Sequence, residues 1–267
     1  MGRVNEPVVI GVVPFFNEER LLSSLLQAMY IQRLRPRTFR LILVDNCSTD
    51  KSREVIAGFI RTHEDYPLTV IEEPRKGTGI ASATGFEKAM SFGAGIIART
   101  DADCLPGPHW LGAGCGAFCS RSIQLASGPI RPRRDDGYYR QLDAVSWPIL
   151  TVAGKLIFGA LQPGTSVRSA MKYAPGGNTF IRASAYQSVG GYPLSNIGQL
   201  DEDVWLSRKI YHDYGVHAMR WCWDAVVYAS MRRQRHLSTW QLMDCYVLRP
   251  DNERVRTRAN RGMIDIR

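Results

Sequence analysis

Four short apolar runs, each followed by a segment of polar or helical character, open this chain, and that alternation limits what it can fold into. Val8 to Val13 is dominated by β-branched residues, as a strand covered on both faces requires. Leu21, Leu22, Leu25, Leu26 and Met29 then recur at helical spacing. Leu41 to Val44 is the second strand. Val55, Ile56, Phe59 and Ile60 mark one face of the helix after it, with Asp50 as a cap. Leu68 to Ile71 is a third strand, a helix covers Ile80 to Met90, and Ala94 to Thr100 is a fourth strand. This rhythm predicts an α/β fold, a mainly parallel central sheet flanked by helices, with ligands at the strand carboxyl ends.

The second half is less regular. Ile123 to Ile130 reads as a strand, followed by a basic loop through Arg131, Arg133 and Arg134, and Tyr138 to Leu161 as a long helical stretch. A glycine turn at Gly176-Gly177 leads into a short strand, Asn178 to Arg182, and then a helix that stops at Gly190-Gly191. Val204 to Tyr214 is a helix opened by Asp201, Glu202 and Asp203; His217 to Trp221 and Ala225 to Ala229 are further strands. No internal repeat or low-complexity linker interrupts residues 1–267, so a single domain is expected.

Chemistry-bearing residues gather where that topology would bring them together. The turn after the first strand holds Pro14-Phe15-Phe16-Asn17-Glu18-Glu19, and the turn after the second holds Asp45-Asn46-Cys47-Ser48-Thr49-Asp50. The fourth strand ends in Asp101-Ala102-Asp103, where strand alternation would put both carboxylates on one side and Ala102 on the other. Two carboxylates at such an edge suit a hard divalent cation and the phosphates it carries. Glu202-Asp203 places two more acids at a helix start, where the helix dipole alone would also favour them. Gly77-Thr78-Gly79 imitates a dinucleotide fingerprint, but it follows the third strand and lacks the third glycine, which argues against NAD. A glycine turn beside Arg75 and Lys76 can still face a phosphorylated ligand.

In this order and spacing the chain resembles a family-2 inverting glycosyltransferase of the GT-A fold. The matching residues are Pro14, Asn17 and Glu18; Asp45, Ser48, Thr49 and Asp50; Gly77; Asp101-Ala102-Asp103; Gly176-Gly177-Asn178; Gly190-Gly191-Tyr192; and Glu202-Asp203 with Leu206 and Arg208. They cover roughly residues 7 to 235. The resemblance implies a Rossmann-like nucleotide-sugar-binding half at 7–104, an acceptor-side catalytic half at 105–235 and a basic C-terminal helix and tail at 236–267. It implies that Pro14, Phe15, Asn17, Glu18, Asp45 and Asn46 hold the nucleoside of a nucleotide-diphosphate sugar, UDP-sugar being favoured over GDP- or dTDP-sugar. Lys76, Gly77, Arg232 and Arg233 would lie along its diphosphate, and Asp101, Ala102 and Asp103 would hold Mg²⁺ or Mn²⁺, with Asp103 the more direct ligand. Gly177, Asn178 and Glu202 would face the acceptor hydroxyl, and Asp203 would be the general base. The chain departs from processive synthases: Met231-Arg232-Arg233-Gln234-Arg235 stands where they carry Gln-x-x-Arg-Trp.

Charge and composition set the remaining bounds. A formal net charge of +9 suits an anionic partner: a phosphorylated small molecule, an anionic membrane or nucleic acid. The arginines are not interleaved with aromatics in a recognisable module, which argues against nucleic acid. A sugar-phosphate nucleotidyltransferase, the other α/β metal-dependent reading, usually has a Gly-rich basic loop after the first strand, where this chain has Pro14-Phe15-Phe16-Asn17. Six cysteines without a C-x-x-C pair read as reduced thiols rather than a zinc site or disulfide framework. Met1 to Pro7 lacks the apolar core of a signal peptide, and the apolar stretch Trp147 to Leu161 is short for a membrane span and contains Pro148 and Lys155. A cytoplasmic location is therefore expected, with the arginine-rich tail suited to the inner membrane face. Trp147 to Leu161 is expected to be a helix in the core or at a dimer interface, with a lipid-facing surface as the alternative.

Overall fold

The computed structural model describes residues 8–32, 39–161, 166–192 and 202–232. Asp201, Arg233 and the arginine-rich tail lie outside the described residues.

The chain runs through β1 (Val9–Phe15), α1 (Leu22–Tyr30), β2 (Phe39–Asp45), α2 (Ser52–Thr62), β3 (Leu68–Glu72), α3 (Thr78–Ser91), β4 (Ile96–Arg99), β5 (Cys104–Pro106) and α4 (Trp110–Gly116). It continues with β6 (Leu125–Ser127), β7 (Ile130–Pro132), α5 (Asp143–Leu161), α6 (Val167–Ala170), β8 (Thr179–Arg182), α7 (Ala183–Ser188), α8 (Glu202–Tyr214), β9 (Met219–Trp221) and β10 (Val227–Ala229). A seven-stranded sheet has the order β3-β2-β1-β4-β8-β6-β9, and β5-β10-β7 form a small second sheet.

β1 shows why the first half folds as it does. All seven of its residues are buried, and alternate side chains serve two separate cores. Val9, Val13 and Phe15 pack with Leu22, Leu25, Leu26 and Met29 of α1, Ile56 and Phe59 of α2, and Trp110 and Leu111 of α4. Ile10 and Val12 face the other way, onto Ala81, Phe86 and Ala89 of α3 and Leu206 and Ile210 of α8. The result is a helix–sheet–helix sandwich, with each fully buried large aliphatic side chain worth roughly 1.5–3 kcal/mol. α3 comes unusually close: a β-carbon on Gly85 would stand 2.4 Å from Val12 Cγ1 and 2.9 Å from Val44 Cγ2. That approach fixes the height at which α3 begins above the sheet edge.

β3, β2, β1 and β4 are parallel, whereas β8 runs antiparallel to both β4 and β6. Arg99, the last residue of β4, is therefore paired with Thr179, the first of β8. The expected mainly parallel sheet is present with this one reversal. Three boundaries differ from the sequence reading. Residues 123–130 do not form one strand, because Gly128-Pro129 divides β6 from β7, and β7 belongs to the second sheet. Ile60 lies exposed beyond the buried face of α2. The fourth strand ends at Arg99, so Asp101-Ala102-Asp103 is a turn, closed by the Cys104 N–H donating to the Asp101 carbonyl at 3.0 Å.

α5 corrects a larger expectation. It contains Pro148 and is not a core helix: Leu142 just before it and Val145, Ile149, Leu150, Val152 and Leu156 along it are all exposed. No helix among the described residues is long and apolar enough to cross a membrane. The five cysteines among the described residues are all unpaired.

Candidate active site

Along the carboxyl edge of the parallel strands, four segments are locked together by hydrogen bonds. Pro14 lies past Val12, the last β1 residue paired with β4, where a central strand can tolerate a residue without an N–H. Asn17, held at φ +53°, turns the chain, and its Oδ1 accepts from the Thr49 N–H at 2.8 Å and the Asp50 N–H at 3.3 Å. The Glu18 N–H donates to Ser52 Oγ at 2.8 Å. The first two turns thus behave as one unit.

The second turn is tied in the same way to the third. Asn46 Oδ1 accepts from the Gly77 N–H at 2.7 Å, and its Nδ2 donates to the carbonyls of Glu73 and Arg75. Gly77 has φ +153°, a conformation that L side chains rarely adopt. Arg75 and Thr84 donate to the buried Glu73 carboxylate. The Arg75 bonds pull its pKa down to about 2 against the opposing effect of burial. Lys76 Nζ stands 5.0 Å above the Phe16 ring, so an ammonium overhangs the first turn.

Two arginines join the acid clusters. Arg232 grips both oxygens of the buried Glu18 carboxylate and reaches Asp103 Oδ2 at 3.4 Å. Arg99, fully buried at the end of β4, reaches Asp101 Oδ1 at 3.3 Å, Glu202 Oε1 at 3.1 Å and the Tyr192 hydroxyl at 3.3 Å. Burial opposes its charge, and Tyr192, Asp101 and Glu202 outweigh it, so Arg99 stays protonated. A β-carbon on Gly79, in the first turn of α3, would stand 3.6 Å from Glu202 Cβ, an ordinary contact distance. Two arginine bridges, Arg232 between Glu18 and Asp103 and Arg99 between Asp101 and Glu202, thus meet at the Asp101-Asp103 turn.

Asp203 opens α8 one residue later. Its Oδ2 accepts from the Gly176 N–H at 3.0 Å and its Oδ1 from the Val204 N–H at 2.7 Å. The Gly176-Gly177 backbone is pressed against the acids: a β-carbon on Gly177 would meet Cys104 Sγ at 3.2 Å and Asp101 Oδ2 at 3.4 Å. Behind this loop, Lys155 of α5 donates to the carbonyls of Met171 and Tyr173 at 3.2 Å each and lies 4.1 Å from the Trp221 ring centre. Burial lowers its pKa to about 8, with Asp203 opposing the shift.

Several sequence-derived site residues have enclosed side chains. Phe15 is packed in the core and Ala102 is buried. Asn178 is completely buried; its Oδ1 accepts from Trp110 Nε1 at 2.9 Å and its Nδ2 donates to the carbonyls of Ala225 and Pro129. Any contact these three make with a ligand comes through backbone or through what they hold in place. The Asp45 carboxylate is buried and taken up by the Ser48 N–H and by Arg53, which also meets Glu72. Sequence reading missed Arg99, Glu73 and Lys155. Arg99 and Lys155 had a signal, a lone charge ending or interrupting an apolar run, where burial demands partners; Glu73, within Glu72-Glu73-Pro74-Arg75-Lys76, had none.

The donor set at the Asp turn fits a hard cation. Ligand atoms of Asp101, Asp103 and Cys104 all lie within 4.8 Å of one another. Burial, reinforced by the two acids, pushes the Cys104 thiol up. The two carboxylates supply oxygen donors of the kind that suit a hard cation such as Mg²⁺ or Mn²⁺.

A family model described as glycosyl transferase family 2 matches residues 12–190. Glycosyltransferase AglE of Haloferax volcanii is 29% identical over 124 residues, 46% of this chain and 40% of that protein. An undecaprenyl-phosphate 4-deoxy-4-formamido-L-arabinose transferase of Pseudomonas aeruginosa is 27% identical over 167 residues, 60% of this chain and 43% of that protein. The chain thus spans less than half the length of these curated relatives. Among solved structures, a mannosyltransferase from Pyrobaculum calidifontis in complex with GDP-Man and Mn²⁺ superposes with a TM-score of 0.62 at 22% identity, over 90% of this chain and 61% of that one.

Proposed function

The chain belongs to glycosyl transferase family 2, with the GT-A fold, and from that premise we propose that it moves a sugar from a nucleoside-diphosphate sugar to an acceptor oxygen with inversion. The observation that carries the reading is the carboxyl-edge network, in which Arg232 and Arg99 bridge Glu18, Asp103, Asp101 and Glu202. Acids and cations fixed in this pattern suit a ligand that is itself a polyanion carried on a cation.

In this reading the first and second turns receive the nucleoside. Glu18 and Asp45 lie there, Asn17 and Asn46 hold the turns in register, and Pro14 and Phe15 set the strand end beneath them. Lys76, the Gly77 backbone, Arg232 and Arg233 neutralise the diphosphate. Asp101 and Asp103 hold Mg²⁺ or Mn²⁺, with the Ala102 backbone shaping their turn. The bound ion would supply Lewis-acid stabilisation of the charge growing on the departing diphosphate. Asp203, oriented by the Gly176 N–H, accepts the proton of an acceptor hydroxyl as it attacks, a contribution typically about 10²–10⁴-fold. Gly177 and Glu202 line the acceptor side, and Asn178 braces it. Attack from the face opposite the diphosphate inverts the anomeric carbon without a covalent sugar–protein intermediate.

A second acceptor class is favoured by the exposed apolar side chains of α5 and by the undecaprenyl-phosphate in one relative's name: the phosphate oxygen of a lipid carrier. Such an acceptor arrives already deprotonated, so it would need Asp203 less.

The test is a calorimetric and transfer screen of UDP-, GDP- and dTDP-sugars with and without Mn²⁺, with product stereochemistry read by NMR. The expected result is Mn²⁺-dependent binding of one donor class, UDP-sugar, and an inverted product. Equal donor binding without metal, retention of configuration, or pyrophosphate release from a nucleoside triphosphate and a sugar phosphate would each overturn the proposal.

A further inference from the structure

α5 carries a surface that the transfer chemistry does not use. Leu142, Val145, Ile149, Val152 and Leu156 follow one another at intervals of three and four, which puts them in a single stripe along the helix. The stripe is open: Leu142 is 78% exposed and Ile149 62%. An adjoining side of the helix is committed to the protein. A β-carbon on Gly159 would stand 2.6 Å from Val167 Cα of α6, and Lys155 is anchored to the Met171 and Tyr173 carbonyls. The orientation of the helix is therefore set by packing, and the apolar stripe faces outward as a consequence.

The surroundings of the stripe are basic. Arg134 and Arg140 lead into α5, Arg131 lies on β7 and Arg168 on α6, and both of those elements pack against α5. All four are exposed, as is Arg220 on β9. Among the described residues, none of these five arginines forms a salt bridge. Arg168, Lys172 and Arg220 form a like-charge group, close enough that the two arginines, after burial, lower the lysine pKa. An apolar stripe rimmed by unneutralised arginines matches the two layers of a lipid surface, acyl chains beneath anionic headgroups.

We infer that α5 lies in the plane of an anionic membrane, with the Leu142–Leu156 stripe among the acyl chains and Arg131, Arg134, Arg140, Arg168 and Arg220 at the headgroups. A second copy of the chain fits less well. Pairing two such stripes would bring two arginine rims together, and Pro148 interrupts the regular helix that a coiled-coil seam needs. The geometry also deepens the proposed function. α5 is tied through Lys155 to the 171–173 backbone, and Gly176 just beyond it holds Asp203, so a docked α5 would set the acceptor side of the site against the bilayer. That last clause rests on the transferase reading; the membrane contact does not.

The experiment is flotation of the purified full chain with vesicles of phosphatidylcholine alone and of phosphatidylcholine mixed with phosphatidylglycerol, at low and high salt. Wild type is expected to float with the mixed vesicles, weakly with phosphatidylcholine, and less as salt rises. The double variant Val145→Asp/Ile149→Asp should lose about 100-fold in vesicle affinity. Arg140→Glu/Arg168→Glu should lose about tenfold or more. Both should keep the wild-type melting temperature and the wild-type affinity for a nucleotide-sugar, so that failure here is separable from failure of the transferase reading. Absence of wild-type binding to mixed vesicles, or undiminished binding by the stripe variant, would overturn the inference. So would a wild-type dimer in sedimentation velocity that the stripe variant splits into monomers without changing vesicle binding.

Discussion

Replacing Arg232 by Gln should move two affinities in opposite directions. Its guanidinium lies 3.4 Å from Asp103 and is paired with Glu18, so in the ligand-free protein it stands beside the proposed cation site as a resident positive charge. All three side chains are largely buried. At an effective dielectric near 20, unit charges this close interact by roughly 5 kcal/mol, and a divalent ion entering beside Arg232 meets a repulsion of that order. Solvent and relaxation discount most of it, leaving about 1.5–3 kcal/mol, or about 10–100-fold tighter Mn²⁺ binding to the donor-free variant. The diphosphate loses a charge-assisted contact of about 1.5–3 kcal/mol, so UDP binding at saturating Mn²⁺ should weaken by about 10–100-fold. Gln keeps hydrogen bonds available to Glu18, and a melting curve checks that the fold survives. The assay is titration calorimetry, first with Mn²⁺ alone and then with UDP in excess Mn²⁺. Unchanged Mn²⁺ affinity, or both affinities falling together, would refute the reasoning, because Arg232 would then be a structural partner of Glu18 with no bearing on the cation.

Asp203→Asn should retain donor and metal affinity while lowering turnover by about 10²–10⁴-fold with a hydroxyl acceptor; near wild-type turnover would remove the proton-accepting role. With a lipid-phosphate acceptor the same variant should lose much less, which distinguishes the two acceptor classes in one assay. Asn178→Ala strands the Trp110 indole N–H and two carbonyls in the core, so it should cost about 3–5 kcal/mol and lower the melting temperature by about 10 °C. Lys155 gives a pH signature. Its folded pKa of about 8 lies below the ordinary lysine value, so the native state sheds the proton first and stability rises with pH between about 8 and 10.5. Relative to Lys155→Met, wild type should therefore gain about 1–3 kcal/mol between pH 7 and pH 10 in urea unfolding; a flat difference would show that the carbonyls of Met171 and Tyr173 hold the ammonium as well as water does.

The parallel half was legible because two-sided burial writes itself as continuous apolar runs. β1 shows the pattern, with Val9 and Val13 on one core and Ile10 and Val12 on the other. The second sheet was legible only in part: β10 falls inside the strand read at Ala225 to Ala229, but β5 and β7 are three residues each, too short to display a period, and no local pattern shows that the three pair. The Asp pair converges as strand alternation suggested, but a turn brings it together. Asn178 and Asn46 mark a different limit: an amide that braces a loop and one that binds a ligand are the same letter, and only enclosure distinguishes them. For α5, Trp147 to Leu161 has the composition of a core helix, and where it docks depends on Gly159 meeting Val167, a contact no local pattern encodes.

The reversal of β8 has a consequence for how such a protein can diversify. Because β8 starts where β4 ends, Thr179 lies beside Arg99, and the chain between the Asp turn and Gly176 starts and finishes at the same edge of the sheet. Within that stretch β6 is held in the central sheet and β5 and β7 in the second one, whereas α5 and α6 fall between β7 and the return at Gly176. Lengthening or exchanging the α5–α6 segment alone would reshape the proposed recipient side while leaving the strands that carry the first three turns as they are.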